Sequence, residues 1–155
     1  MDKDDQMKDI YQKVIIWADV VIIATPIRWG NATSLYYQMI QRMNCVRNQS
    51  ITHETYLIRD KVAAFIITGG QNNVQHVAGE FMTFWSQLGF VFGKFPFVGW
   101  TRGWYAEDTE NNYDKMKENK PMRQDINKTI SGAVEMSRLV KQNRYDERVL
   151  TQFRR

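Results

Sequence analysis

Two runs of consecutive apolar residues, each followed by a helical pattern, constrain the fold more than any other feature of the chain. The first run is VVIIA, Val20 to Ala24, and the second lies within KVAAFIIT, Lys61 to Thr68. Neither run alternates with polar residues, which is typical of strands buried on both faces of a parallel sheet. Parallel strands need crossover connections, usually helices that cover the faces of the sheet. The two runs therefore predict an α/β fold.

Four other segments carry apolar residues at three- and four-residue spacings, and each predicts a helix with one buried face. They are residues 5–18, about 33–43, 74–88 and 125–143. The residues expected on the inner faces of the second and the last helix are Leu35, Met39, Ile40 and Met43, and Ile126, Ile130, Ala133, Val134, Ser137 and Val140. Residues 46–60 show no clear period, which predicts a surface excursion.

A third strand is predicted from Phe90 to Val98, with a bulge or an edge position because Gly93 and Pro96 interrupt it. The alternation of helices and strands predicts one domain, residues 1–155, in which helices cover both faces of a parallel sheet. The carboxyl ends of such strands share one edge, where ligands bind. The loops at that edge would be residues 25–31, 68–73 and 99–112.

Composition limits the classes of function. The chain has 21 Lys and Arg against 17 Asp and Glu, a formal charge of +4, and one cysteine, Cys45. One cysteine excludes a disulfide within the chain and any cysteine-based zinc or iron-sulfur site built from one copy. No window reaches the roughly 20 apolar residues of a membrane span, and the charged N-terminus is unlike a signal peptide. The single cysteine and the lack of a membrane segment lead us to expect a cytoplasmic protein. We expect no nucleic-acid partner, because the C-terminal segment KQNRYDERVLTQFRR alternates in the sign of its charges.

The predicted edge carries residues that a simple turn does not need. Pro26, Arg28, Trp29, Gly30 and Asn31 follow the first strand in close succession. One interpretation is a rigid turn that packs on the next helix, and the other is a binding edge. The third loop favours the second interpretation and a planar ligand, because exposed aromatic side chains are costly unless they cover something. Its aromatic residues are Trp100, Trp104 and Tyr105.

Acid-base and metal chemistry have little support. His53 and His76 are the only histidines, and neither forms a recognisable catalytic dyad. Glu107 and Asp108 in the third loop are interpreted as solvated charges. The sequence therefore predicts no catalytic side chain and no metal site.

The segment ADVVIIATPIRWGNATSLYYQMIQR, residues 18–42, resembles the NAD(P)H-dependent FMN reductases and the related flavodoxin-like quinone reductases and iron-sulfur flavoproteins. A second segment, KVAAFIITGGQNN, is similar to the next strand and glycine turn of that family. The matching positions are Thr25, Pro26, Ile27, Trp29, Gly30 and Arg42 in the first segment, and Thr68, Gly69 and Gly70 in the second. Two departures are Arg28, where the family usually has an aromatic residue, and Tyr37, where it often has a lysine.

The resemblance implies a flavodoxin-like three-layer sandwich and a flavin at the predicted edge. The first loop would lie along the pyrimidine edge of FMN, and the glycine turn would support the ring from the other side. The implied cofactor-binding residues are Thr25, Pro26, Ile27, Arg28, Trp29, Gly30 and Asn31, and Thr68, Gly69, Gly70, Gln71 and Asn72. The aromatic residues Trp100, Trp104 and Tyr105 would cover the substrate. The family also implies a homodimer or homotetramer.

The implied function is transfer of hydride from NAD(P)H through FMN to a quinone, a flavin or another small acceptor. The family's first strand, phosphate-binding turn and second strand have no counterpart here, so we expect a domain truncated to about three strands and weak or partner-dependent FMN binding. Its first strand would then have an uncovered edge. Two alternatives remain, a non-catalytic subunit that acts through protein association and a flavodoxin-type electron carrier. Carriers are usually acidic, and this chain is basic.

Overall fold

A computed structural model describes residues 4–69, 72–103, 105, 108 and 110–142. Its strands are β1 (Val20–Pro26), β2 (Val62–Gly69) and β3 (Val91–Thr101). Its helices are α1 (Met7–Tyr11, continued by a π-helical segment, Gln12–Trp17), α2 (Ser34–Arg42), α3 (Asn44–Thr52), α4 (Val74–Leu88), α5 (Asn112–Glu118) and α6 (Lys120–Gln142). Within the described residues, no helix combines the length and the apolar character that crossing a bilayer requires.

The sheet is parallel and has the order β1-β2-β3. Val20 of β1 pairs with Val62 of β2, and Val62 pairs in turn with Val91 of β3. The apolar runs form the strands that their composition predicts, since β-branched residues suit a pleated surface covered on both sides. The prediction of a parallel sheet is confirmed.

Alternate residues of β2 enter two separate layers of the core. Phe65 and Ile67 belong to the larger cluster, which also contains Phe81 and Trp85 of α4. Ala64 belongs to a smaller cluster with Ala133 of α6. Because successive strand residues point to opposite faces, α4 and α6 cover opposite sides of the sheet. This arrangement confirms the predicted three-layer α/β sandwich.

Aromatic contacts hold α2 and α4 together over the larger cluster. The ring of Tyr36 stacks on that of Phe81 with centroids 4.0 Å apart, and Phe81 meets Phe65 edge to face at 5.2 Å. Trp85 is fully buried and donates its indole N–H to the Tyr36 hydroxyl at 3.3 Å. α4 begins and ends as predicted, and Gly89 ends it in a left-handed conformation with a φ of 106°.

Three helix predictions need correction. In α2, Leu35 is 73% exposed and Tyr36 is buried in its place, whereas Met39, Ile40 and Met43 contact the core as predicted. The segment predicted as a surface excursion contains α3, which buries Val46. In α6, Val134 is exposed although its neighbour Ala133 is buried as predicted. α6 also begins five residues before the predicted Asp125, because Pro121 lies in its first turn, where proline is tolerated.

The predicted bulge in β3 is confirmed and brings α6 close to the strand. Pairing jumps from Ala63 with Phe92 to Phe65 with Phe97, so β3 carries extra residues there. A Cβ atom built on Gly93 would lie 2.6 Å from the carbonyl oxygen of Gly132 in α6. The strand and helix backbones touch at this point, which only glycine permits.

We expect Gly93→Ala to destabilise the fold by about 1–3 kcal/mol, because the added methyl group meets backbone atoms that cannot move aside independently. A matched control is Gly79→Ala in α4, where nothing lies within 4 Å of the added atom. That change should stabilise the protein by up to about 1 kcal/mol through helix propensity. Urea denaturation measures both. Equal stabilities of the two variants would contradict the close approach of β3 and α6.

Candidate functional site

The carboxyl ends of the three strands lie side by side. Pro26 at the end of β1 pairs with Thr68 of β2, and Thr68 pairs with Trp100 of β3. The loops that leave these strands therefore begin at one edge of the sheet, as the sequence predicts. This edge is the candidate site.

A tight two-residue turn follows β1. The Arg28 N–H donates to the Asn31 carbonyl at 2.7 Å, and the Asn31 N–H donates back to the Arg28 carbonyl at 3.0 Å. The residues between them have left-handed φ angles, 51° at Trp29 and 77° at Gly30, which makes this a type I′ turn. The turn holds the Trp29 side chain 91% exposed at its tip. An indole in this position is available to stack on a planar molecule.

Hydrogen bonds from other elements hold the turn in place. The Ile27 N–H donates to the Thr68 carbonyl at 2.6 Å, and the Asn73 side chain before α4 donates to the Gly30 carbonyl. Asn73 precedes α4 at its N-cap position, but its side chain makes no capping bond and instead holds the turn. The side chains of Thr25 and Ile27 are buried, so only their backbone atoms can face a ligand.

Two backbone donors lie at the tip of the turn. Neither the Trp29 N–H nor the Gly30 N–H makes a hydrogen bond to any described residue. Backbone N–H groups that open to a site can bind carbonyl or ring-nitrogen acceptors. The turn therefore offers two donors and one aromatic face to a ligand.

The glycine turn after β2 is partly described. A Cβ atom on Gly69 would lie 2.8 Å from the Cβ atom of Ile27, so glycine lets the first two loops approach each other. Asn72 is exposed. The predicted site residues Gly70 and Gln71 lie outside the described residues.

The third loop is built around Asp108 and Arg102. The Tyr105 N–H donates to the Asp108 carboxylate at 3.2 Å, and a Cβ atom on Gly103 would collide with that carboxylate. Asp108, interpreted from the sequence as a solvated charge, is partly buried and also accepts this backbone hydrogen bond. The Arg102 guanidinium donates to the Glu110 carbonyl at 2.8 Å, and its backbone N–H donates to the Gly69 carbonyl. These long-range bonds have no signal in the sequence.

The aromatic residues of that loop differ in exposure. Trp100 is half-buried within β3, and Tyr105 is 73% exposed. The predicted site residue Trp104 and the acidic residue Glu107 lie outside the described residues. The edge thus presents an exposed indole on one side and an exposed phenol on the other.

Two concavities of the surface lie away from the predicted site residues. A groove of about 530 Å³ between α2 and α4 contains Tyr37, whose hydroxyl donates to the Glu80 carboxylate at 2.9 Å. Burial, and then the hydrogen bond to that carboxylate, raise the pKa of Tyr37 above its ordinary value. No pattern in the sequence predicts this pair.

A second groove, of about 580 Å³, lies beside α1 and α3. There Cys45 contacts the Tyr11 hydroxyl, and burial raises the pKa of Tyr11 to about 12. Arg42, one of the positions that match the resembling family, binds Asp5 with both terminal nitrogens and lowers the pKa of that carboxyl. Arg42 therefore has a structural role away from the edge. No group of three or more metal-ligating side chains occurs in the part of the chain that is described.

Comparison with known proteins identifies flavoproteins. A family model for NADPH-dependent FMN reductase matches residues 1–103. The chain is 27% identical over 73 residues to 8-demethyl-8-aminoriboflavin-5'-phosphate synthase of Streptomyces davaonensis, a match that covers 47% of this chain and 28% of that protein. It is 32% identical over 69 residues to an iron-sulfur flavoprotein of Methanocaldococcus jannaschii, covering 44% and 32% of the two chains. The matches thus span a third or less of these curated relatives.

A solved structure with the same fold aligns with nearly the whole chain. The crystal structure of RosB with the bound intermediate 8-demethyl-8-formylriboflavin-5'-phosphate superimposes with a TM-score of 0.77 at 20% sequence identity. The match covers 98% of this chain and 65% of RosB. At this identity the likeness concerns the fold, and it confirms the predicted flavodoxin-like class.

Proposed function

The chain belongs to the NADPH-dependent FMN reductase family, whose model matches 1–103 of its 155 residues, and we propose that it is an FMN-dependent oxidoreductase. It takes hydride from NAD(P)H and passes it to a quinone, a flavin or another small acceptor. The observation that carries this proposal is the type I′ turn at the carboxyl edge of the sheet. That turn displays the Trp29 indole beside the unused N–H groups of Trp29 and Gly30.

The groups at this edge fit the ring system of a flavin. The pyrimidine end of an isoalloxazine carries two carbonyl oxygens and ring nitrogens, which suit the N–H donors of Trp29 and Gly30. Its flat faces suit the exposed rings of Trp29 and Tyr105. Gly69, which touches Ile27, brings the second loop to the same place. These residues, with Pro26, Asn31, Thr68 and Asn72, form the proposed cofactor site, and Arg28 borders it on the same turn.

The chain's residues have positioning roles in the reaction. When bound, FMN supplies the chemistry by accepting a hydride from NAD(P)H and returning two electrons to the acceptor. A quinone becomes a hydroquinone by gaining that hydride and one proton from solvent, so no acid-base side chain is required. The rigid turn orients the ring, and the exposed aromatic side chains exclude water from the stacked partners.

A second candidate function rests on the open edge of β1. β1 pairs only with β2 among the described strands, and Ile22, Ile16 and Trp17 are exposed at 39%, 77% and 81%. An apolar strand with an unpaired edge is a template for association with another chain. A subunit that acts through such association, as a homodimer, a homotetramer or with another protein, is the alternative.

Flavin binding tests the proposal directly. We expect the purified chain to quench the fluorescence of added FMN and to oxidise NADPH or NADH when menadione is present. The proposed contacts are to the ring system, which FMN and riboflavin share, so the two should bind with Kd values within about threefold of each other. Protein that leaves flavin fluorescence unchanged at millimolar flavin would contradict the enzyme proposal and favour the association role. Light scattering of the same samples measures the oligomeric state.

A further inference from the structure

Arg28 differs from Arg42 and Arg102 because its guanidinium makes no hydrogen bond or ion pair to any described residue. Its backbone is fixed by the two bonds to Asn31, and its side chain is exposed. No described carboxylate lies within ion-pair distance of it. By contrast, Arg102 binds the Glu110 carbonyl and Arg42 binds Asp5. Arg28 is therefore an exposed cation on a fixed backbone, with no partner for its side chain among the described residues.

The position of Arg28 places this cation next to the proposed ring site. It lies two residues beyond Pro26, the last residue of β1, and immediately before the exposed Trp29. The unused N–H groups of the turn are those of Trp29 and Gly30, the next two residues in the chain. A guanidinium presents a planar fork of donors that matches a carboxylate or sulfonate better than an ammonium does.

We infer that Arg28 is a specificity-determining residue that binds the anionic group of the electron acceptor. This inference rests on the proposed function. The substrate class it implies is small aromatic acceptors that carry a carboxylate or a sulfonate. The phosphate of FMN is separated from the pyrimidine edge by the ribityl chain, and the phosphates of NADPH are remote from its nicotinamide. A residue beside the ring edge is therefore better placed for a charge on a small acceptor.

Paired acceptors that differ in charge test this assignment. The probes are 1,4-naphthoquinone-2-sulfonate and the uncharged menadione, both reduced by two electrons. For Arg28→Gln we expect the ratio of kcat/KM for the sulfonate to kcat/KM for menadione to fall about tenfold, because a charge-assisted hydrogen-bonded pair is lost. Arg28→Lys, which keeps the charge without the fork, should lose about threefold. Raising the salt concentration should lower the ratio for the unaltered protein.

Arg138→Gln is the matched control because it removes the same charge at the other end of the sheet. Arg138 is exposed on α6, one turn before Lys141, and Lys141 pairs with Asp19 just before β1. This variant should keep the acceptor ratio of the unaltered protein. A fall equal to that of Arg28→Gln would overturn the inference, since it would show a general effect of net charge.

A binding measurement without turnover completes the test. Quenching of tryptophan fluorescence by the sulfonated quinone, with FMN present and no reductant, should give a Kd about tenfold higher for Arg28→Gln. Equal Kd values would overturn the inference, as would a loss confined to FMN affinity or to the KM for NADPH, because the anion would then belong to the cofactor or the donor. Failure of the unaltered protein to bind FMN or to reduce menadione would instead contradict the proposed function. Activity with menadione and an unchanged ratio in Arg28→Gln would overturn the Arg28 assignment alone.

Discussion

Ala133→Asp is expected to destabilise the protein by at least about 4 kcal/mol, whereas Val134→Asp, one residue later, should cost less than about 1 kcal/mol. Ala133 is 1% exposed in the cluster with Val62 and Ala64, so a carboxylate there would have no described polar partner. Val134 is 36% exposed, and its replacement stays in contact with water. In a chain of this length the first variant should lower the Tm by about 10 °C or more.

Urea denaturation followed by far-UV circular dichroism measures both changes. Val134→Asp is a close control because valine and aspartate have similar helix propensities, so differences between the variants report burial. Ala133→Asn adds similar bulk without a charge and should lose less stability than Ala133→Asp. Equal losses from Ala133→Asp and Val134→Asp would show that α6 is rotated from the position described.

The inner face of α6 shows where a hydrophobic pattern is insufficient. The sequence predicts that Val134 faces inward because it is apolar and follows Ala133 at the edge of the apolar stripe. In the structure, Gly132 of α6 lies against β3, and a Cβ atom on it would lie 2.5 Å from the Lys94 carbonyl oxygen. Ser137 is buried as predicted, and Thr129, which was not predicted on this face, is buried as well. Small and hydroxyl-bearing residues carry little hydrophobic signal, so contact with the β3 bulge, and not periodicity, fixes the face.

The strands and α4 are predictable because local pattern and tertiary packing agree. Every residue of β2 from Val62 to Phe65 is buried, as an uninterrupted apolar run requires. α2 is harder because Leu35, Tyr36 and Tyr37 are consecutive, and any of them could face the core. The choice of Tyr36 depends on a ring contact with Phe81, more than forty positions away in the sequence. A contact between residues so far apart in the chain produces no local sequence pattern.

The candidate site also combines features that the sequence predicts with features that only the structure shows. The sequence identifies the turn by Gly30 and the adjacent aromatic residue, and the topology of a parallel sheet brings the other loops to it. The bonds that hold the turn join Asn73 to Gly30 and Ile27 to Thr68, and they depend on the final register of β1 and β2. A sequence pattern can therefore indicate which loops meet, but the donors left open at their meeting point follow only from the structure.

Gly30→Val is expected to weaken FMN binding by a hundredfold or more, while the Tm falls by about 2–12 °C. A β-branched residue cannot easily adopt the φ of 77° found at Gly30, which costs about 1–3 kcal/mol in an exposed turn. The change also places methyl groups beside the N–H donors that the proposed site offers to the flavin. Fluorescence titration of FMN and thermal denaturation on the same preparations separate the two effects.

Gly30→Asn separates backbone strain from bulk. Asparagine tolerates the left-handed region, so this variant should keep the turn and the Tm of the unaltered protein within about 2 °C. If the tip of the turn approaches the ring closely, the asparagine side chain should still weaken FMN binding about tenfold, because its Cβ atom occupies the space of the ligand. Full FMN affinity in Gly30→Asn, combined with parallel loss of stability and binding in Gly30→Val, would show that the turn is structural. The flavin would then have to bind through other residues of the edge.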